Sequence, residues 1–103
     1  MKHQELEQPF VLKELVVYRK HQINSKHLSL GKDSDVVLFA LAENESISSE
    51  SSPTNKLLYL LEGQMEVILD GKPMVLQAEQ SIMIPQNTIH VLQAIGQCKF
   101  MQI

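Results

Sequence analysis

The side chains in this sequence best suited to chemistry are His90, Lys56, Glu50 and a run of serines. His90 stands in IHVLQA, where alternation with a period of two puts its imidazole on the face of Leu92 and Ala94. Lys56 opens KLLYLL and by the same alternation shares a face with Leu58 and Leu60. Glu50 sits in ISSESSP with the hydroxyls of Ser49, Ser51 and Ser52 beside it. Together these groups suit recognition of a small polar or anionic ligand. Lys56 would supply the charge, His90 a donor or acceptor, and Ser49, Ser51 or Ser52 a hydroxyl. The plainer alternative leaves His90 as a core histidine with a hydrogen-bond partner and has Lys56 turned outward or paired with Glu50.

The other candidates read as structural. His3, His21 and His27 are surface or strand-face residues. Met65, Met74, Met83 and Met101 fall in strand-like segments as core filler, and Tyr59, on the face opposite Leu58 and Leu60, serves core packing or a subunit contact. Cys98 is the one cysteine, so no internal disulfide is possible, and it lies in an apolar-alternating segment where a reduced thiol behaves as a small hydrophobe. A reducing, cytoplasmic setting is therefore expected. Met1 to Gln8 is polar with no apolar stretch behind it, and no run approaches the roughly 18 apolar residues of a membrane span. The net charge of −3 gives no reason to expect nucleic acid, whose affinity comes from clustered Lys and Arg. The one basic stretch, Arg19-Lys20-His21 flanked by Lys13 and Lys26, is interrupted by Glu14 and reads as a solvated face.

Positioning these residues falls to a chain of 103 residues, enough for one domain and one core. With no tryptophan, two tyrosines and three phenylalanines, that core is built from Leu, Ile, Val and Met around Phe10, Phe39 and Phe100. Val36 to Ala42 and Leu57 to Leu61 are short continuous apolar runs, as in strands buried on both faces. Gln64 to Leu69 alternates and ends at Asp70-Gly71, a strong hairpin signal because both central positions of a type I′ turn need positive φ. Met74 to Ala78, Ser81 to Ile84, Ile89 to Ile95 and Cys98 to Ile103 are each strand-sized, as is Ile23 to Leu30. The regular separators, among them Glu62-Gly63 and Gly96-Gln97, predict a sandwich or barrel of about eight or nine strands. Phe10 to Tyr18 has helical spacing after Pro9 and predicts a short turn of helix. The polar tract ENESISSESSPTN, Glu43 to Asn55, is expected to be a solvated connecting loop.

The stretch FALAENESISSESSPTNKLLYLLEG followed by AEQSIMIPQNTIH resembles the paired motifs of the cupin superfamily. There the first motif runs G-x5-HxH-x3,4-E-x6-G and the second G-x5-PxG-x2-H-x3-N. The closing glycine of the first falls on Gly63, and the proline and histidine of the second on Pro85 and His90. The usual glutamate position holds Lys56, and the two histidines fall on Glu50 and Ser52, or with the longer spacing on Ser49 and Ser51. In the second motif Glu79, Asn87 and Ala94 stand at the two glycines and the asparagine. The chain is also similar to small bacterial single-barrel cupins with loops like ISTHTSPGDA and ESIIMPANIPHAV, against which one histidine has become Glu50.

The resemblance implies an all-β jelly-roll barrel spanning 23–103 behind an N-terminal extension, 1–22. Its pocket would lie between the strands of Lys56 to Leu61 and Ile89 to Ala94, lined by His90, Lys56, Glu50, Ser52, Leu58 and Leu92. Imidazole and carboxylate ligands in a cupin site suit iron, manganese, nickel or zinc. Here His90 and Glu50 alone fall short of the three protein ligands of open catalytic zinc sites, and an ammonium at Lys56 repels a divalent ion. The expectation is a metal-free cupin that binds or senses a small molecule, without nucleic-acid or membrane partners, as a homodimer whose apolar strand surface exceeds what the interior takes up. The alternatives are a metal-dependent dioxygenase or isomerase using His90 and Glu50, and an interaction module with no pocket chemistry.

Overall fold

A computed structural model describes residues 6–32, 35–49 and 51–103. Its strands are β1 (Ile23–Ser29), β2 (Asp35–Leu41), β3 (Ser46–Ser49), β4 (Lys56–Leu69), β5 (Lys72–Gln77), β6 (Ser81–Ile84) and β7 (His90–Gln102). All described pairings are antiparallel. The β4–β5 hairpin turns through Asp70 (φ 48°) and Gly71 (φ 82°), with Leu69 opposite Lys72, as a two-residue type I′ loop requires.

The architecture depends on the two long strands. β4 and β7 pair along nearly their whole length, Leu58 opposite Gln102 at one end and Leu69 opposite His90 at the other. The first half of β4 continues into β6 and the second half into β5. β7 does the same on its far side, its first half joining β3 and its second half joining β2 and β1. The ribbon folds on itself, so the halves face one another across one core. Leu58 and Leu60 from one half and Met65 and Val67 from the other lie in the same buried cluster with Leu92, Ala94, Cys98 and Phe100. The result is the jelly-roll barrel.

The bend is built from extra residues. Leu60 faces Phe100 and Glu62 faces Lys99, so Leu61 is an insertion on β4; Gly63 faces Cys98 and Gln64 faces Ile95, so Gly96 and Gln97 are insertions on β7. The single extra residue on β4 changes which side of that strand points inward, which is why Leu58 and Leu60 but then Met65 and Val67 reach one core, while the two extra residues on β7 leave Leu92, Ala94, Cys98 and Phe100 on one face. Gly63 adopts φ 86° and lies so close to β7 that a Cβ there would stand 2.3 Å from the Gln97 carbonyl oxygen. Only glycine fits both requirements.

A second cluster covers the outside of the β2 side of the barrel. Val16 of the N-terminal segment is buried with Val36, Leu38 and Ala40, flanked by Leu12, Leu15, Tyr18, Leu61 and Met101. Polar contacts tie this segment down. The Tyr18 hydroxyl donates to Glu62 Oε2 at 2.6 Å and Lys99 Nζ donates to the Lys13 carbonyl at 2.7 Å. Lys99 also sits 5.0 Å from the Tyr18 ring centre. Burial, followed by the hydrogen bond to Glu62, pushes the Tyr18 phenol well above its ordinary value.

Two expectations need correction, and a third, the short helical turn within Phe10 to Tyr18, is met. The described strands number seven rather than eight or nine, because the segments on either side of Glu62-Gly63 and of Gly96-Gln97 are joined through bulges rather than separated by turns. The Glu43 to Asn55 tract is not all loop: Ser46–Ser49 pairs with Gln93 to His90 as β3. The helical turn is a four-residue 3-10 helix, Leu12–Leu15.

Two predictions follow from the bend and the core. Gly63→Ala should lose about 2–4 kcal/mol, from left-handed backbone strain and overpacking against β7. Gly96→Ala, with φ 75° but nothing within 4 Å, should lose about 1 kcal/mol; urea midpoints at unchanged m check the ranking. Burial pushes the Cys98 thiol from 9.0 up to about 12. Above pH 9 the unfolded chain therefore releases a proton that the folded chain keeps, and stability falls as pH rises, at a slope approaching about 1.4 kcal/mol per unit. Between pH 9.0 and 10.0, below the ordinary ionisation of Tyr18, the decline in the urea midpoint should be smaller in Cys98→Ala than in the parent.

Candidate functional site

Because the β4–β7 ribbon is folded at Gly63 and Gly96, its free ends meet at the opposite, open end of the barrel. Lys56 begins β4 in one half and His90 begins β7 in the other. The segment from Pro85 to Ile89 joins β6 to β7 across this mouth, and a clip holds it to the 51–55 segment. The Asn87 N–H donates to the Ser52 carbonyl at 2.7 Å, and the Gln86 N–H donates to Asn55 Oδ1 at 2.8 Å. Ser52 uses its hydroxyl within its own turn, 3.3 Å from both the Thr54 N–H and the Thr54 hydroxyl, an ST-type arrangement.

His90 is 5% exposed, the buried polar side chain among the described core residues. Its register opposite Leu69 on one side and Ser49 on the other, with Leu92 next on its face, puts it on the interior side of the barrel. Its Nδ1 lies 3.4 Å from the Thr88 carbonyl oxygen. In the tautomer that donates along this weak contact, Nε2 carries the lone pair and has the chemistry of an acceptor or ligand.

Lys56 lies opposite Ile84 of β6 and is half-buried. It lines a groove of about 640 Å³ with Thr54, Asn55, His27, Leu30, Asp35, Val37, Gln102 and Ile103. The register shows what this groove is. His27 pairs with Val37, Val37 with Gln102, and Gln102 with Leu58, so all lie on the inward face. One inward step deeper are Phe39 and Phe100, stacked at 4.9 Å between ring centres. The groove follows this inward face at the open end of the barrel, and the Phe39–Phe100 stack lies beneath it without lining it.

The residues singled out from sequence separate accordingly. Lys56 lines the groove; Leu58 and Leu92 lie in the packed core beneath it; Ser52 sits in the loop clip; and His90 is buried on the facing half and is not among the lining residues. Glu50, and with it the His90–Glu50 pair, lies outside the described residues, as does His3. Sequence reasoning did not identify His27, Asp35, Asn55 or Gln102 as companions of Lys56. Strand register brings them together, and local pattern does not reveal register.

Among the described residues no three His, Cys, Asp or Glu side chains converge, and Lys56 brings an ammonium to the mouth. No described helix is long and apolar enough to cross a membrane.

Comparison with known proteins extends this picture. The family described as Cupin domain matches residues 37–103. A crystal structure of a cupin superfamily protein from Desulfitobacterium hafniense is 29% identical, covers 93% of this chain and 88% of that one, and superposes with a TM-score of 0.88. A Cupin 2 conserved barrel domain protein from Leptotrichia buccalis is 26% identical over 90% of this chain and 45% of that one, with a TM-score of 0.85. Among curated proteins, the polyketide synthase CurC of Streptomyces cyaneus is 35% identical over 60 residues, 57% of this chain; the match spans only 39% of that relative.

Proposed function

The chain belongs to the cupin superfamily, and on that premise we propose that it binds or senses a small molecule at the barrel mouth and works without a resident metal. The observation that carries this reading is the place of Lys56. A cationic side chain stands, half-buried, on the inward face at the mouth and in the wall of a solvent-open groove. Partial desolvation strengthens the attraction of an ammonium for an anionic group, and Leu30 and Val37 in the same lining give the rest of a ligand apolar surface to cover. His90, across the mouth, is buried on the facing half of the barrel, outside the groove lining. The buried thiol of Cys98 suits a reducing, cytoplasmic setting.

Homodimerisation belongs to the same proposal. On the outer face of the barrel Leu57 lies opposite Met83 and exchanges backbone hydrogen bonds with Ile103. Leu57 and Met83 are both exposed, Met83 at 53%, which makes an apolar strip that a second copy would cover.

Elemental analysis of protein purified without chelator should find metal well below one atom per chain. Iron, manganese, nickel or zinc near one per chain, lost in His90→Ala, would sink the metal-free reading in favour of a metal-dependent dioxygenase or isomerase. A thermal-shift screen of small organic acids and metabolites should yield at least one compound that stabilises the parent chain and not Lys56→Met. At about ten times Kd the gain is about 1.4 kcal/mol, or a Tm rise of about 5 °C or more. A screen with no such compound favours an interaction module without pocket chemistry. In sedimentation, Met83→Glu should move the protein from dimer to monomer; a parent chain that is already monomeric removes the dimer proposal.

A further inference from the structure

The groove at the mouth holds formal charges of both signs on different strands. Lys56 comes from the start of β4 and Asp35 from the start of β2, with the amides of Asn55 and Gln102 in the same wall and Leu30, Val37 and Ile103 as its apolar part. Some of the polar groups are already engaged: Asn55 Oδ1 accepts from Gln86, and Thr54 is tied to Ser52. The groups left for a ligand include the Lys56 ammonium and the Asn55 and Gln102 amide hydrogens as donors, with the Asp35 carboxylate as charged acceptor. Lys56 and Asp35 are not in contact. The ion pair within 4.0 Å among the described residues is Lys13–Glu62, on the outside of the barrel.

Resting on the small-molecule reading above, we propose that the groove binds a free α-amino acid with an apolar side chain. The ligand carboxylate meets Lys56 and the amides, its ammonium meets Asp35, and its side chain covers Leu30, Val37 and Ile103. A zwitterion satisfies both fixed charges at once. A simple carboxylate leaves Asp35 facing it as a like charge, and a simple amine leaves Lys56 so, which gives the groove discrimination against each half of its ligand. The volume of about 640 Å³ admits a ligand of this size with water around its charged end.

Calorimetric titration of the full chain with leucine, isocaproate and isoamylamine tests this, since the latter two lack the amino and the carboxyl group respectively. Leucine should bind about tenfold or more tightly than either, a difference of at least about 1.4 kcal/mol. Asp35→Asn should erase the preference over isocaproate, and Lys56→Met the preference over isoamylamine. Thermal melts of the free variants identify any that fail to fold, and the chemical control Asp35→Glu should retain the preference if the charge is the cause. Equal affinity for leucine and isocaproate, or a preference that survives Asp35→Asn, overturns the inference. If organic acids bind in a Lys56-dependent way while valine, leucine, isoleucine and methionine do not, the amino-acid assignment falls and the small-molecule reading stands; if neither set binds, both fall.

Discussion

The close approach of Gly63 to the Gln97 carbonyl is the constraint on which the rest of the molecule depends. A Cβ at that point would meet the oxygen at 2.3 Å, so the sharp fold of β4 over β7 exists because the side chain is missing. Without the fold the two long strands would run on as an extended ribbon with one wet face on each side. With it, Leu58, Leu60, Met65 and Val67 share a core, and the ends of the ribbon are returned to one place. The site is a by-product of that return. Lys56 and His90 are far apart along the ladder and come to the same open end because the ladder is bent in its middle.

Polarity inside the barrel is graded from one end to the other. Near the bend the interior is Leu41, Met65 and the protonated thiol of Cys98. In the middle stand the stacked rings of Phe39 and Phe100. Beyond them come Gln102, His27, Asp35 and Lys56. Charged groups are kept where water can still reach them, which avoids the several kcal/mol that ionised side chains cost in a dry interior. On the outside, Tyr18 and Lys99 meet Glu62 and Lys13 beside the bend, so the N-terminal segment is fastened to the most constrained part of the sheet.

Much of the fold could be read from residues with local rules of their own. Asp70-Gly71 specifies its turn by backbone sterics alone, and Gly63, Pro85 and His90 carry the family spacing. The strand count was less legible because glycine with positive φ serves a turn and a bulge equally well, and only pairing distinguishes Gly71, which ends a strand, from Gly63, which does not. β3 was hidden because Ser46–Ser49 has a single apolar residue, Ile47, and becomes a strand by pairing with β7 rather than by its own pattern. At the site, Lys56 and His90 stood out by chemical type and spacing. His27 and Asp35 did not, since their presence beside Lys56 depends on the register of β1 on β2 and β2 on β7, where a one-residue slip would turn both away.

The bend and the mouth lie at opposite ends of the barrel and have no residue in common. Gly63, Leu61, Gly96 and Gln97 hold the shape, while Thr54, Asn55, Lys56 and the segment after Pro85 surround the opening. Substitutions at the opening therefore leave the shape-determining contacts untouched, whereas a side chain at Gly63 would disturb them directly. A lineage built on this barrel is free to vary the rim residue by residue while the bend keeps the barrel's shape.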